Sequence, residues 1–368
     1  MNLVVSLKYF LVYFRLFGIS LYSPNMTKTM RRFVIFFASI NFIYITFTPL
    51  LLILNSSRKF KLSDRSFLYI ILYYGVFFIH AVTILETLTT KKNQLHFWNT
   101  LEKIEETFAK DKNCLKKKNF NLKRKLIYCF SVLLFVSMTC KIGLWISNRL
   151  FKIRGDWFMI DTSSFISQEC SRLNYFSQYF FIEILRLHVT FYNEKIREVA
   201  KMAKKYTESM LFSELNLLNV RHSLIWELNS HVNSFFKWRQ IFNFLHSFLN
   251  ITNLLFWIYH GSNIGKLDYK MIVNLIQYII TLVHLIYSCE MLKEEALRSP
   301  ALIQEVSQQV AYAPNHELYN SVMIISMQIH HEKISINYGG FFRVDMSLLT
   351  TMAATTTTYL VMFIQFFD

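Results

Sequence analysis

The sequence predicts an all-α integral membrane protein with seven transmembrane helices, its N-terminus in the cytoplasm and its C-terminus outside. Four observations predict it. Apolar residues make up 53% of the chain and charged residues 17%, whereas a soluble domain averages about 45–50% and about 25%. Those apolar residues are clumped into runs of about 20, the length that crosses roughly 30 Å of hydrocarbon as a helix, and mean hydropathy is +0.27. Phe occurs 36 times against 8 Gly and 4 Pro, a composition that suits long helices with little irregular loop. Lys and Arg are shared very unequally among the connections, which sets the orientation.

Residues 3–22 mix apolar side chains with Lys8 and Arg15 and end at Pro24. They suit a short interfacial helix better than a span. The apolar run Tyr9 to Phe14 is broken by Arg15, and no small-residue cleavage site follows, so this is no signal peptide. Seven spans follow, at 33–54, 67–88, 126–147, 172–192, 239–260, 270–290 and 346–367. The first is almost wholly apolar. The fourth is the poorest, because Glu183 and Arg186 lie inside it. Charges in a bilayer are costly; three residues apart on a helix, these two can satisfy each other. Lys141, in the third span, is placed to snorkel.

Connections after the first, third and fifth spans are short, and those after the second, fourth and sixth are long. The N-terminal segment and the long connections hold 27 Lys and Arg, the short connections 8. Positive loops stay inside, so the long ones are cytoplasmic. The net charge of +16 is then a loop property and calls for no nucleic acid. Clusters Lys116 to Lys118 and Lys123 to Lys125 precede the third span, where they can touch anionic lipid or simply be solvated. In the last long connection, Leu318, Val322, Ile325 and Ile329 fall on helical spacing. His316 to Lys333 is therefore expected to form a cytoplasmic helix that leads, through Gly339 and Gly340, into the last span. The chain reads as one domain over 1–368: an outer bundle in 33–290, this anchor helix at 316–333 and the last helix at 346–367.

That last span, Met346 to Asp368, is uncharged until its end, yet Thr351, Thr355, Thr358, Met362 and Gln365 recur at steps of four, three, four and three. The spacing draws one stripe on a helix. Several copies around an axis would make it a wetted pore lining. The hydroxyls can equally bond back to their own helix or glue it to a neighbour.

The same stretch carries two motifs. Thr358-Tyr359, five apolar residues, then Gln365-Phe366 resembles the TY-x5-QF signature of the insect gustatory receptor family. Gly340-Phe341-Phe342-Arg343-Val344-Asp345 resembles that family's lead-in. The motifs cover about 30 residues; the rest of the chain agrees in size and layout. The resemblance implies a plasma-membrane, multi-pass, tetrameric cation channel without selectivity among cations, opened by a small-molecule tastant, as a homomer or with other receptor subunits. It implies a pore mouth at Gln365 and Phe366 with Met362 one turn inside, alongside Thr355 and Thr358. It also implies an anchor in which the cytoplasmic helix joins the inner ends of spans four to six. The sugar-sensing branch carries Glu after the motif Tyr; Leu360 stands here, which points to a divergent, bitter-type receptor. An odorant receptor of similar architecture is the first alternative. A G-protein-coupled receptor would have the opposite orientation, and neither a DRY-like triplet after span three nor NPxxY in span seven occurs.

For ligand binding the orientation assigns outer halves, which hold Tyr69, Tyr73, Trp145, Tyr175, Tyr179, Trp257, Tyr259, Gln277 and Tyr278. Aromatic walls with a few polar tips suit a small, uncharged or weakly basic compound. The interfacial aromatic belt would place Tyr and Trp at the same depth. No enzyme is expected: neither GxSxG nor a P-loop occurs, and His80, His188 and His284 stand apart. No cofactor or metal is expected either, since His330 and His331 point about 100° apart on a helix and no second pair lies at helical spacing. Cys114, Cys129, Cys140, Cys170 and Cys289 form no paired framework and are expected as free thiols. Asn55 heads an acceptor sequon on the outer side, close to the membrane.

Overall fold

Apolar runs broken by few Gly or Pro become long helices. The structure is a computed structural model that describes residues 7–19, 26–56, 64–108, 111–150, 155–263, 269–310 and 316–367. These hold eleven helices: α1 (Lys8–Leu16), α2 (Lys28–Ser56), α3 (Asp64–Thr89), α4 (Lys91–Thr107), α5 (Lys112–Leu150), α6 (Gly155–Met202), α7 (Glu208–Phe235), α8 (Lys237–Asn263), α9 (Tyr269–Val310), α10 (His316–His331) and α11 (Met346–Phe367). Among the described residues the only β pairing is an isolated bridge between Asn337 and Arg343.

Each predicted span lies within one helix: α2, α3, α5, α6, α8, α9 and α11. Within the described residues, four stretches are long and apolar enough to cross a bilayer: Lys28–Leu51, Lys237–Ser262, Met271–Val310 and Met346–Phe366. In α3 the described apolar stretch is the shorter Tyr73–Thr89. The helix α6 owes its lower hydropathy to polar residues that the protein interior, not lipid, surrounds. Every residue from Glu169 to Leu185 is buried, and α6 packs most extensively on α9, with α3, α5, α7 and α8 around it.

Two expectations need correction. The N-terminal segment is not laid on a surface. Leu7, just before α1, and Phe10, Leu11 and Phe14 within it are buried in the core, with Phe10 edge-on to Phe130 at 5.5 Å and Phe14 to Phe180 at 5.6 Å. Their spacing of three and four makes one apolar stripe, and α6 supplies a matching aromatic face. The long connections, too, are largely helical. In α4, Phe97, Trp98, Leu101 and Ile104 are buried; in α7, Leu211, Leu215, Leu218, Ile225, Leu228 and Val232 are. Each such side chain contributes about 1.5–3 kcal/mol by leaving water. Their apolar stripes are too short and too flanked by charge to read as spans. Together with α10 and the ends of α6 and α9 they build a second helical layer, the anchor, at one end of the bundle.

The anchor runs into α11 through a tight turn. Val344 N–H donates to Ile336 O at 3.1 Å and Phe341 N–H to Tyr338 O at 3.1 Å. Gly339 and Gly340 have φ of 59° and 81°, which side-chain-bearing residues rarely adopt. A Cβ on Gly339 would also sit 2.2 Å from Lys237 Cε. Asn233 of α7 straps this turn down: its amide donates to Ser335 O at 2.9 Å and its oxygen accepts from Asn337 N–H at 3.0 Å.

Candidate ligand site and last helix

Polar side chains line the seam where α6 meets α3 and α8. His80 Nδ1 lies 3.1 Å from Ser167 Oγ. The Asn174 amide donates to Thr83 Oγ1 at 2.8 Å, and the Gln240 amide to Asn174 O at 2.9 Å. Ser171 Oγ donates to Asn243 Oδ1 at 2.5 Å, while the Asn243 amide returns a bond to Ser171 O at 3.1 Å. Such a chain of amides and hydroxyls in a low-dielectric interior is stabilising when satisfied and costly where it is not. Among the described residues it is left open at His80 Nε2, Asn174 Oδ1 and Gln240 Oε1, and nearby at Gln178, which is fully buried and whose amide nitrogen and oxygen both lack a partner. Gln277 Oε1, on α9, is buried and unpartnered too.

Of the aromatic residues expected at a ligand, Tyr175 and Tyr179 of α6 are buried. The Tyr175 hydroxyl donates to Asn243 O at 3.0 Å and lies 2.8 Å from Ser247 Oγ, so it braces α6 against α8. Tyr179 stacks at a tilt on His284, 4.5 Å between ring centres, and its hydroxyl lies 3.5 Å from Cys129 Sγ. Gln277 is buried, Tyr73, Trp257 and Tyr278 are half-buried, and Tyr259 is exposed. Trp257 lies edge-on to Phe256 at 5.5 Å, and Tyr73 to Phe77 at 5.3 Å. The side chains of Tyr69, Trp145, Lys141, Cys140 and Asn55 fall outside the described residues.

The charges inside the fourth predicted span are paired. Arg186 lies 3.2 Å from Glu183, Lys125 donates to Glu183 Oε2 at 2.8 Å, and Ser288 Oγ to Glu183 Oε1 at 3.0 Å. The expected Glu183–Arg186 pair is thus one arm of a node joining α5, α6 and α9. Lys118, from the other basic cluster, pairs with Glu194. These lysines hold helices together rather than lie free in solvent.

In α11 the stripe faces away from the rest of the chain. Thr351, Thr358, Met362 and Gln365 are exposed, Thr355 is half-buried, and Phe366 is 76% exposed. On the opposite side Thr356 is buried, and Phe363 meets Phe256 of α8 at 6.0 Å. Tyr359 packs edge-on against Phe248 at 5.9 Å. Hydroxyls on the stripe bond back along their own helix: Thr351 to Ser347 O at 2.8 Å, Thr355 to Thr351 O at 2.8 Å and Thr358 to Ala354 O at 3.2 Å. Only 6% of the apolar window of α11 is buried within the chain, against 44% for α8.

The profile of the 7tm chemosensory receptor family matches residues 7–367. The chain belongs to that family. This chemosensory receptor has, among solved structures, the fold of the insect olfactory receptor OR5 from Machilis hrabei. The complex of OR5 with eugenol superposes with a TM-score of 0.74 at 13% identity, covering 99% of this chain and 98% of that one. The OR5 structure described without eugenol gives 0.71 at 13% identity, covering 98% and 97%. No curated protein matches the receptor by sequence. Family membership and the apolar helices make it a membrane protein, and the family is one of receptors, not enzymes.

Sequence reasoning missed three parts of this arrangement. Gln178 looked like one polar residue in a mixed span. Glu86 and Arg239 sit at the edges of the second and fifth predicted spans, where charge is ordinary, yet they meet in the core with Glu86 Oε2 3.5 Å from Arg239 Nε. The contact of Lys293 with Asp345 joins residues 52 apart in the chain, and no local pattern signals it.

Proposed function

We propose that this receptor is a taste-type, ligand-gated channel subunit, conducting cations without selectivity among them, with seven spans, its N-terminus in the cytoplasm and four copies around one pore. One observation carries the reading: the Thr351–Thr355–Thr358–Met362–Gln365 stripe lies on the least covered of the four long apolar spans among the described residues and faces away from its own chain. A polar stripe turned toward lipid would be unfavourable, and turned toward copies of itself it lines a conduit. The Thr358-Tyr359 and Gln365-Phe366 motif supports the taste-type assignment. The ligand is a small, neutral or weakly basic organic compound seated in the outer bundle, where the Gln178 amide, next to Tyr179 in sequence, and the Gln277 oxygen are without partners among the described residues. It opens the pore only by binding the open state more tightly.

The likeness to OR5, whose complex holds eugenol, favours a second reading, an odorant-type subunit with the same channel mechanism. Epitope tags on each terminus, stained before and after permeabilisation, test the orientation: a C-terminal tag visible on intact cells supports it. Currents in cells exposed to bitter and volatile panels separate the two readings. Gln365→Ala should alter relative cation permeability without changing surface expression. Wild-type permeability in that variant, or a buried C-terminal tag, would remove the pore assignment.

A further inference from the structure

A cavity of about 380 Å³ opens in the anchor, beside the turn that leads into α11. Its size falls within the range of small-molecule sites. His222, Lys293, Lys333 and Arg343 line it, with Glu332 and Asp345.

The two carboxylates are already engaged. Glu332 Oε2 accepts from Gln328 at 2.9 Å, and Asp345 accepts from Ser347 Oγ at 2.5 Å and from Lys293 at 3.2 Å. Lys333 and Arg343 have no ion pair or side-chain hydrogen bond among the described residues, and with Lys293 they set three cations against the two carboxylates, so the cavity wall is positive by one charge and presents two cations without a partner. Two acceptors stand beside them. Histidine 222 is 2% exposed; its Nε2 faces Glu332 O at 3.2 Å and donates there, which leaves Nδ1 a buried acceptor without a partner. Pro300 has no N–H for the carbonyl of Ala296, one helical turn earlier, and both residues line the same cavity. Two cations and two open acceptors are complementary to an anion that also carries hydroxyl groups.

We infer that this cavity binds a hydroxylated phosphate monoester, held at its phosphate by Lys333 and Arg343 and at its hydroxyls by His222 Nδ1 and the Ala296 carbonyl. Such a head group is carried both by soluble polyol phosphates and by phosphoinositide lipids. Arginine and lysine bind phosphate through charge-assisted bonds. The site is separate from the outer bundle and does not rest on the channel reading.

The test uses the full chain in detergent and in lipid nanodiscs. Inositol monophosphate should raise the thermal midpoint in detergent, while inositol should not. In phosphatidylcholine nanodiscs, phosphatidylinositol phosphate should raise it and phosphatidylinositol should not, if the lipid is the source. The double variant K333Q/R343Q alters two exposed, unpaired side chains, so its midpoint without additive should equal the wild type's. Its affinity should fall by about tenfold or more, as expected for losing charged hydrogen bonds. A response in only one of the two settings identifies the source. No stabilisation in either setting, equal stabilisation by inositol, or an undiminished response in K333Q/R343Q would overturn the assignment. Tastant-evoked currents are not part of this readout, so it stands or falls apart from the proposed function.

Discussion

Lys293 of α9 holds Asp345, the residue before α11, across 3.2 Å, and holds Glu290 at 3.1 Å. Glu290 in turn accepts the N–H of Met346, the first residue of α11, at 3.0 Å. The Ser347 hydroxyl, against the opposing effect of burial, and then Lys293 keep the Asp345 carboxyl below the usual carboxylate range. The root of the last helix is therefore fastened to α9 at two points, by Lys293 through Asp345 and by Glu290 through the Met346 N–H. Its side chain is 38% exposed, so the pair is worth no more than about 1 kcal/mol of stability. On the channel reading proposed above, Lys293→Gln should leave thermal stability within about 1 kcal/mol but raise current in the absence of ligand, because one of the two ties on the root of α11 is cut. The swap Lys293→Asp with Asp345→Lys should bring resting current back. Unchanged resting current in Lys293→Gln would show that the fastening has no part in gating.

Glu86 is expected to matter for folding rather than for response. Its two oxygens accept the N–H groups of Trp238 and Arg239, at 2.6 and 2.9 Å, at the start of α8. A carboxylate there meets both the free amides and the positive end of the helix dipole. It also neutralises Arg239, which is 1% exposed and donates to Ile19 O at 3.0 Å and Phe235 O at 2.6 Å. Glu86→Ala leaves a buried guanidinium without its counter-charge, a loss of about 3–5 kcal/mol. Surface expression should collapse. Glu86→Ala with Arg239→Met should recover part of it. Normal expression of Glu86→Ala alone would contradict the capping role.

Much of the fold was legible because hydrophobic length is a local signal. The spans at 33–54 and 346–367 lie inside α2 and α11, and the apolar spacing of Leu318, Val322, Ile325 and Ile329 marks the buried face of α10. What stayed hidden depends on neighbours. Phe10 and Phe14 read as interfacial until Phe176 and Phe180 are seen to bury them. The helices α4 and α7 carry too much charge on one face to stand out from loop, yet they pack on each other across 100 residues of sequence. At the candidate site, spacing drew the α11 stripe, which the structure leaves exposed or half-buried, and depth pointed to Tyr175 and Tyr179, which it buries. Periodicity cannot reveal that Gln178 lacks a partner, since that is a property of everything around it.

Gln178 separates a structural from a ligand-binding role. A buried amide with no partner among the described residues costs about 1–3 kcal/mol, a cost that a ligand's polar group would offset. Gln178→Met, similar in volume and without the polar atoms, should raise the thermal midpoint of the ligand-free receptor. It should also shift the agonist concentration for half-maximal current upward by about tenfold, the equivalent of one lost hydrogen bond. Stabilisation with unchanged agonist response would place the ligand elsewhere in the bundle.

The anchor should carry a pH dependence of its own. Burial lowers the His222 pKa from 6.5 to about 4, against the opposing pull of the Glu332 carbonyl. Tyr192 packs against the ring at 5.7 Å, and the Glu332 carboxylate stands 3.9 Å away. Between those two values the unfolded chain binds a proton at this position that the folded chain refuses. Stability is therefore fully present above about pH 6.5 and falls as pH drops toward about 4, by on the order of 3 kcal/mol. The physical event is protonation of a buried imidazole beside Tyr192, whose Nδ1 has no acceptor among the described residues to give the proton to. His222→Gln keeps a donor for Glu332 O but cannot titrate. Thermal unfolding of the purified receptor across this range should slope for the wild type and run flatter for His222→Gln. Parallel slopes would mean that the acid sensitivity lies in other groups and that His222 is protonated in the folded anchor without penalty.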